Sequence, residues 1–320
     1  MTKLIHLVAV LGCALVSLAP ALAADKDLQA GGMWAKILGQ SGKIDLAPSS
    51  DVSSNPDKVR IQIEALRQLD KDGAELGGGG NSKHSFNSFA TQEFTFSPLE
   101  DTTFGGVKCI KLPFSCTLGP GSKIEIQVFI FKENGTITLG EEKFPVTNKT
   151  MKFNVLLSSW VWCTGTGTPA CQGKDGVGAS VEIDISVTSK EQAKQLSTGN
   201  VYSMGGGAQM RLSKKIQLEG SASAWTDMPG GGPSLTGTGT TSKFTLKFPK
   251  FTTSALYDPD ITYSTSSTTS TGAVTAATPT TSKSSSSQRL EGRETMMVWL
   301  ISLSLCCLSF AIAQGKGFYI

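Results

Sequence analysis

Two asparagine triplets are the clearest sites for chemistry in this sequence. Asn134-Gly135-Thr136 and Asn148-Lys149-Thr150 both follow the Asn-x-Thr acceptor pattern of N-glycosylation. The side-chain amide of such an asparagine receives an oligosaccharide only in a chain that enters the secretory pathway. We therefore expect sugar at Asn134 and Asn148 if the chain is exported, with both sites on the protein surface.

Four cysteines between the chain ends could form disulfide bonds. They are Cys109, Cys116, Cys163 and Cys171. An even number of cysteines in an oxidising compartment predicts that all are paired, although the pairing is not fixed by the sequence. We expect Cys109–Cys116 and Cys163–Cys171, because each pair brackets a short segment rich in Gly, Pro, Ser and Thr. Paired zinc ligands are typically separated by about two to four residues, and neither of these cysteine spacings matches that pattern. No metal site is therefore predicted.

Trp160 and Trp162 form a third candidate site. Residues two apart in a strand project from the same face, so the two rings could form a flat platform that stacks on a sugar. Alternatively, both rings belong to the hydrophobic core beside Cys163. Exposed, coplanar rings would favour binding, and buried rings would favour a structural role.

Catalytic residues are scarce. His6 lies in the apolar N-terminal segment, which leaves His84 as the imidazole for a Ser-His-Asp or Cys-His site. The sequence around His84 lacks the Gly-x-Ser-x-Gly pattern of a nucleophile elbow. A pair of glycosidase carboxylates cannot be recognised from sequence, because it depends on distance in the folded chain. We predict that the protein is not an enzyme and needs no cofactor, with a secreted glycosidase as an alternative.

The composition argues against nucleic acid as a partner. The formal net charge is +3, charged residues make up 17% of the chain, and Lys and Arg form no basic run. Domains that bind nucleic acid concentrate basic residues on one face. The low share of charged residues and the 35 glycines instead indicate many loops and a surface rich in Ser, Thr and Gly.

Residues 1–23 have the layout of a secretory signal peptide. Lys3 supplies the positive start, an apolar stretch follows, and Ala21-Leu22-Ala23 has the small-x-small form of a cleavage site. We predict cleavage after Ala23 and an extracellular protein, either secreted or anchored at the cell surface.

The C-terminal part of the chain predicts a tether. Residues 259–295 are dominated by Ser and Thr and offer too little apolar surface to offset chain entropy, which is typical of a disordered, O-glycosylated stalk and spacer. Residues 296–313 are uncharged and mostly apolar, and residues 314–320 form a polar tail. The apolar segment is either a short transmembrane helix or a GPI-anchor signal, with attachment at Ser284, Ser285 or Ser286. A membrane is the expected partner in both cases.

Alternating apolar residues predict a β-rich extracellular domain over residues 24–258. In segment 181–187 every second residue is Val or Ile, and segments 58–63 and 244–248 alternate in the same way. The continuation 64–70, EALRQLD, is predicted to remain a strand with a bulge. Because no segment shows a sustained helical period, we predict a mostly β fold, an antiparallel β-sandwich.

Asn134-Gly135 also predicts a hairpin over residues 123–139. Asn-Gly is the preferred pair for a two-residue turn, and it stands between two alternating segments. In that register Ile130 faces Leu139, so Ile137 and Leu139 join the face formed by Ile126, Val128 and Ile130.

Three stretches resemble a known group of proteins. They are LSSWVWC at 157–163, VEIDISV at 181–187 and KFPKFTTSALYDP at 247–259. Their arrangement resembles secreted or membrane-tethered proteins of cnidarians, including proteins of the skeletal organic matrix of stony corals, over about residues 40 to 260. The resemblance implies a role in an extracellular matrix and brings no active site. One feature departs from mineral-directing matrix proteins, which are often strongly acidic, because this chain has an isoelectric point of about 8.4.

Together these features predict a non-enzymatic extracellular glycoprotein. We expect a structural or adhesive role at the cell surface or in an extracellular, biomineral matrix, in contact with matrix components or glycans. A carbohydrate-binding or receptor ectodomain is the alternative, and the glycosidase is the second.

Overall fold

Every regular element in the described part of the chain is a β-strand. The structure is a computed structural model that describes residues 23–77, 85–86, 88–118, 121–139, 142–165, 176–197, 200–219 and 225–264. The strands are, in chain order, β1 (Lys26–Ala30), β2 (Met33–Ile37), β3 (Ile44–Ala47), β4 (Val59–Leu69), β5 (Glu75–Leu76), β6 (Ser85–Phe86), β7 (Thr95–Phe96), β8 (Glu100–Phe104), β9 (Val107–Thr117), β10 (Lys123–Phe131), β11 (Gly135–Leu139), β12 (Glu142–Val146), β13 (Thr150–Ser158), β14 (Ser180–Thr188), β15 (Lys194–Gln195), β16 (Val201–Ser203), β17 (Ala208–Arg211), β18 (Lys215–Leu218), β19 (Trp225–Asp227), β20 (Ser234–Thr238), β21 (Thr241–Pro249), β22 (Ser254–Tyr257) and β23 (Asp260–Tyr263).

The strands form two large antiparallel sheets and one separate hairpin. The first sheet has the order β1-β2-β3-β4-β14-β21-β20, with β5 and β6 also paired to β4. The second has the order β15-β16-β17-β23-β13-β10-β9-β7, with β8 paired to β9 and with β22, β18 and β19 joined through β13. Among the strands that the structure describes, β11 and β12 pair with each other and with no other strand.

The central core lies between the two large sheets. Side chains of both sheets meet there: Ile61 and Ile185 of the first sheet and Ile126 and Phe153 of the second line the same small interior gap. All four are at most 2% exposed. Burial of one such side chain stabilises a fold by about 1.5–3 kcal/mol, so this shared core holds the sheets face to face. The predicted antiparallel β-sandwich is confirmed.

The alternating segments predicted the strand faces correctly. In β14, Val181, Ile183, Ile185 and Val187 point into the central core, and residues 182, 184 and 186 point outward. Strand β4 continues through the predicted bulge. Asp184 pairs with Ala65 and Ile185 with Ile63, so Glu64 is the extra residue.

The predicted hairpin over residues 123–139 is wrong. Strand β10 pairs with β9 and β13, and β11 pairs with β12, with Ile137 opposite Phe144. Gly135 does not have the positive φ that a type I′ turn requires. Glycine is needed there for space, because a Cβ atom at this position would lie 2.4 Å from a methyl carbon of Val107.

The hairpin β11–β12 covers the outer face of the second sheet instead of extending it. A second group of buried apolar side chains, here called the outer cluster, forms under this hairpin. It consists of Val107, Cys109, Phe129, Phe131, Ile137, Phe144 and Val146. Ile137 therefore packs against Phe129 and Phe131, on the face of β10 opposite to Ile126, Val128 and Ile130.

The β domain extends beyond its predicted end at residue 258. Ile261 and Tyr263 of β23 are buried, and the Tyr263 hydroxyl donates a hydrogen bond to the carbonyl oxygen of Asp57 at 2.8 Å. Strand β23 thus takes the first residues of the predicted stalk into the second sheet.

The predicted terminal segments lie outside the described residues. Residues 1–22 of the signal peptide, the stalk from residue 265, the apolar segment 296–313, the tail 314–320 and the candidate anchor sites Ser284, Ser285 and Ser286 all belong to this group. Within the described ranges, no helix has the length and apolar character to cross a membrane.

Candidate functional site

The two sequons meet at the base of the hairpin β11–β12. Asn134 directly precedes β11, and Asn148 follows β12. The backbone N–H of Asn148 donates a hydrogen bond to the Asn134 side-chain oxygen at 3.0 Å, and both asparagines are exposed. This bond uses the side-chain oxygen of Asn134 and not its amide nitrogen, which is the atom that carries an N-linked sugar. The two predicted glycosylation sites therefore form one patch on the surface, here called the sequon pair.

The threonines of the two sequons differ in their environment. Thr136 is exposed, but Thr150 is fully buried, and its hydroxyl lies 2.9 Å from the hydroxyl of Thr262 on β23. The Thr150 hydroxyl also accepts a hydrogen bond from the N–H of Thr147 at 2.9 Å. An enzyme that reads the Thr150 hydroxyl therefore has to act before β13 packs against β23.

Trp160 and Trp162 do not form the predicted aromatic platform. Strand β13 ends at Ser158, and Ser159 has a φ of 51°, so the two tryptophans lie outside the regular strand. Trp160 is only 5% exposed, and the planes of the two rings meet at 64°. The Trp162 ring N–H donates to the carbonyl oxygen of Phe251 at 2.9 Å. One ring thus lies in the central core and the other is fixed against it, so these two rings do not form a coplanar pair that faces solvent.

The predicted Cys109–Cys116 disulfide is wrong, because both residues belong to the extended strand β9 and both thiols are free. Seven residues of strand span about 23 Å, whereas disulfide-bonded Cα atoms lie within about 7 Å. Cys109 belongs to the outer cluster and Cys116 to the central core, on opposite faces of the sheet. Burial raises the pKa of each thiol to about 11, so neither is a reactive thiolate at neutral pH.

Cys163 is disulfide-bonded and buried. Its backbone N–H donates to the side-chain oxygen of Gln68 at 2.8 Å, which connects this loop to strand β4. Its predicted partner Cys171 lies outside the described residues, and the pairing Cys163–Cys171 stays a prediction.

Charged side chains on the outer face of the first sheet pair with one another. Arg67 lies 2.6 Å from both Glu182 and Asp184, and Lys243 lies 2.8 Å from Asp184. Burial of Asp184 opposes its ionisation, but hydrogen bonds from Lys243, Thr245 and Arg67 exceed that effect and lower its pKa. At the other end of the sheet, Arg60 makes two hydrogen bonds to Asp45, at 2.6 and 2.7 Å. These carboxylates are neutralised locally and do not form an open acidic array.

The Asp-Lys-Asp-Gly segment that begins at Asp70 forms a turn between β4 and β5. The Asp70 carboxylate accepts the backbone N–H groups of Asp72 and Ala74, at 2.9 and 2.8 Å. Across the described ranges, no three His, Cys, Asp or Glu side chains lie close enough to hold a metal ion. His84 lies outside those ranges.

Sequence reasoning missed a charged group under the hairpin β11–β12. Lys152 of β13 and Asp258 form an ion pair in which both side chains are 0% exposed. Arg211 and Asp260 form a second pair beside it. The Lys152 ammonium lies 5.2 Å from the centre of the Phe144 ring, within range of a cation–π contact. The only signal in the sequence was a lysine within an apolar strand. Alternation places this lysine on the outer face of the sheet and therefore predicts that it is exposed. Alternation does not reveal that a hairpin covers this face.

A comparison with protein families agrees with the resemblance found in the sequence. The chain matches the family described as acidic skeletal organic matrix protein over residues 24–200 and 195–308, which includes every strand of the two sheets. The formal net charge of +3 departs from the acidic character in that description. The match nevertheless covers most of the sequence, and the chain belongs to the acidic skeletal organic matrix protein family.

Proposed function

We propose that this protein is a non-enzymatic, glycosylated structural component of an extracellular skeletal matrix, held at a surface by its C-terminal segment. Family membership supports the extracellular, matrix part of this proposal. The signal-peptide pattern of residues 1–23 supports export.

The pairing of charges in the first sheet is the observation that carries a scaffold function. An acidic surface that binds mineral directly needs carboxylates that are free to meet cations. Here Asp184 is 1% exposed and contacts both Arg67 and Lys243, and Asp45 is 6% exposed and contacts Arg60. These contacts join neighbouring strands, so this face of the first sheet serves to stabilise the domain.

The sequon pair supports the glycoprotein part of the proposal. Asn134 and Asn148 are exposed and adjacent at the base of one hairpin. Two oligosaccharides at this position would cover the entry to β11 and the exit from β12. We propose that these sugars provide the hydrophilic contact with other matrix components, while the sheets provide stiffness.

The tether part of the proposal rests on the sequence that follows β23. Sugar attached along the Ser/Thr-rich segment would extend it and hold the β domain away from the membrane. The test uses the full chain with an epitope after Ile320, expressed in animal cells and treated with a phosphatidylinositol-specific phospholipase. A GPI anchor predicts loss of the epitope and release of the domain, whereas a transmembrane helix predicts that both are retained.

The location of the native protein tests the proposal as a whole. Antibodies against the β domain would be applied to cleaned, demineralised skeleton and to a cell lysate of the same organism. We expect the protein in the skeletal extract, with a mass that falls after enzymatic removal of N-linked sugar. An unglycosylated protein found only in the soluble cell lysate would contradict the proposal.

A further inference from the structure

The buried pair Lys152–Asp258 has no role in the proposed function. Lys152 is the third residue of β13, and Asp258 lies between β22 and β23, which both pair with β13. The Lys152 Nζ and the Asp258 Oδ1 atoms are in direct contact, and both side chains are 0% exposed. Apart from this contact, neither the ammonium nor either carboxylate oxygen has a hydrogen-bond partner in the described structure.

The surroundings of this pair disfavour charge. A buried ion pair is stable only when further hydrogen bonds satisfy its remaining protons and lone pairs. Here the rings of Phe104 and Phe144 lie beside the ammonium, with 5.3 and 5.2 Å between Nζ and the ring centres. Burial raises the pKa of Asp258 more than Lys152 lowers it, and the negative charge of Asp260 raises it further. Burial therefore opposes ionisation of the Asp258 carboxyl at this position.

We propose that Lys152 and Asp258 condense into an intramolecular isopeptide bond that joins β13 to the last strands of the domain. The Lys152 ammonium first gives a proton to the Asp258 carboxylate, which leaves a neutral amine and a carboxylic acid. The amine nitrogen attacks the carboxyl carbon, and a C–N bond forms. The second amine proton joins the hydroxyl group, the C–O bond breaks, and one water molecule leaves. The step needs no oxidant, reductant or other reactant.

Three features of the fold favour this reaction. Strand β13 and the segment between β22 and β23 hold the Lys152 ammonium against the Asp258 carboxylate. Such fixed proximity replaces an encounter in solution by an intramolecular step. The hairpin β11–β12 excludes water through Phe144, so hydrolysis of the product is suppressed. The amide product also removes two buried charges that lack other hydrogen-bond partners.

The position of the bond suits a tethered protein, an argument that depends on the proposed tether. A pulling force on the C-terminal segment enters the domain at β23 and first loads the hydrogen bonds of that strand. A bond between Lys152 and Asp258 would transfer this force to β13, in the middle of the second sheet. The chemical test does not depend on the tether, since the bond forms or fails to form in either case.

Peptide mapping of the full chain tests the proposal. The protein, expressed in animal cells, would be denatured, reduced, deglycosylated and digested with trypsin. We expect one branched peptide that contains Lys152 and Asp258, with a mass lower by one water than the sum of its two arms. Trypsin would not cleave after Lys152, because its side chain is acylated. Recovery of the two peptides separately at full mass, with cleavage after Lys152, would overturn the proposal.

Three variants and one control make the result specific. Lys152→Met and Asp258→Ala each remove one reacting group, and neither can form the branched peptide. Asp258→Asn can still form the same amide by releasing ammonia, so we expect a branched peptide of the same mass as in the wild type. Lys111→Met changes another lysine of the second sheet, which lies over the ring of Phe129, and should leave the branched peptide unchanged. A branched peptide that persists in Lys152→Met would also contradict the assignment.

Discussion

The backbone N–H of Asn148 donates a hydrogen bond to the side-chain oxygen of Asn134, with 3.0 Å between the nitrogen and the oxygen. This bond joins the two sequons across the base of one hairpin. Asn148 lies fourteen positions after Asn134 in the sequence, and the hairpin β11–β12 lies between them. Asn134 is therefore a predicted sugar site through its sequon and a structural residue through this hydrogen bond. Substitutions can separate these two roles.

The first prediction separates these roles. Thr136→Val destroys the sequon but keeps the Asn134 side chain, whereas Asn134→Ala removes both the sugar site and the hydrogen bond. We expect each variant to lose the oligosaccharide mass at this site. Only Asn134→Ala should also lose about 0.5–1.5 kcal/mol of unfolding free energy from the broken hydrogen bond, measured by urea unfolding of enzymatically deglycosylated protein. Equal stability of the two deglycosylated variants would show that the hydrogen bond is unimportant.

The second prediction concerns the space at Gly135. Alanine there places a methyl group 2.4 Å from a carbon of Val107, and its φ adds no further strain. We expect Gly135→Ala to lower the unfolding free energy by about 1–3 kcal/mol, as is typical of overpacking. Val107→Ala in the same chain would make room for the new methyl group. The double variant should therefore be less destabilised than the sum of the two single variants, and simple additivity would contradict the steric explanation.

The third prediction concerns the free cysteines. With pKa values of about 11, about one in a thousand of these thiols is ionised at pH 8. We expect Cys109 and Cys116 to resist iodoacetamide in the folded protein and to react within minutes after unfolding in guanidinium chloride. Peptide mapping without reduction should recover both as alkylated thiols. A peptide in which Cys109 is bonded to Cys116 would contradict the extended strand that carries them.

The fourth prediction concerns the pH dependence that Asp184 contributes. Its pKa is lowered in the folded state, so its stabilising effect is fully present above the pKa of an unfolded aspartate, about 3.9. The effect is lost as the pH falls through the lower folded value, because the protonated carboxyl no longer pairs with Arg67 and Lys243. Asp184→Asn should lower the unfolding free energy by about 1–3 kcal/mol at pH 7. At pH 2 the unfolding free energies of the variant and the wild type should differ by less than at pH 7.

A matched control for this variant is Asp57→Asn. Asp57 pairs with Lys190 at 2.9 Å, but the side chains are 33% and 51% exposed. Exposed ion pairs contribute about 0–1 kcal/mol, so this variant should change stability little at either pH. If both variants behaved alike, burial of the Arg67–Asp184–Lys243 group would have no energetic consequence.

The sequence predicted those parts of the fold that depend on local periodicity. Alternation places Val181, Ile183, Ile185 and Val187 on one face whatever strand lies beside them, and the structure buries that face. The bulged strand after Ile63 followed from the same rule. The partner of residues 135–139 did not, because Asn-Gly is compatible with more than one turn and the pairing is a long-range choice.

What the sequence determined by itself is the β character of the chain, the inward face of its long strands, and the patterns for export and sugar attachment. Each of these depends on neighbouring residues or on a short motif. Tertiary structure alone decided that β11 pairs with β12, that Cys109 and Cys116 lie at distant points of one strand, and that Lys152 is buried with Asp258. Periodicity assigns a side chain to one face of a sheet, but only the packing of other segments decides whether that face meets water. The hairpin β11–β12 covers the outer face of the second sheet, and this contact turns an apparently exposed lysine into a buried one.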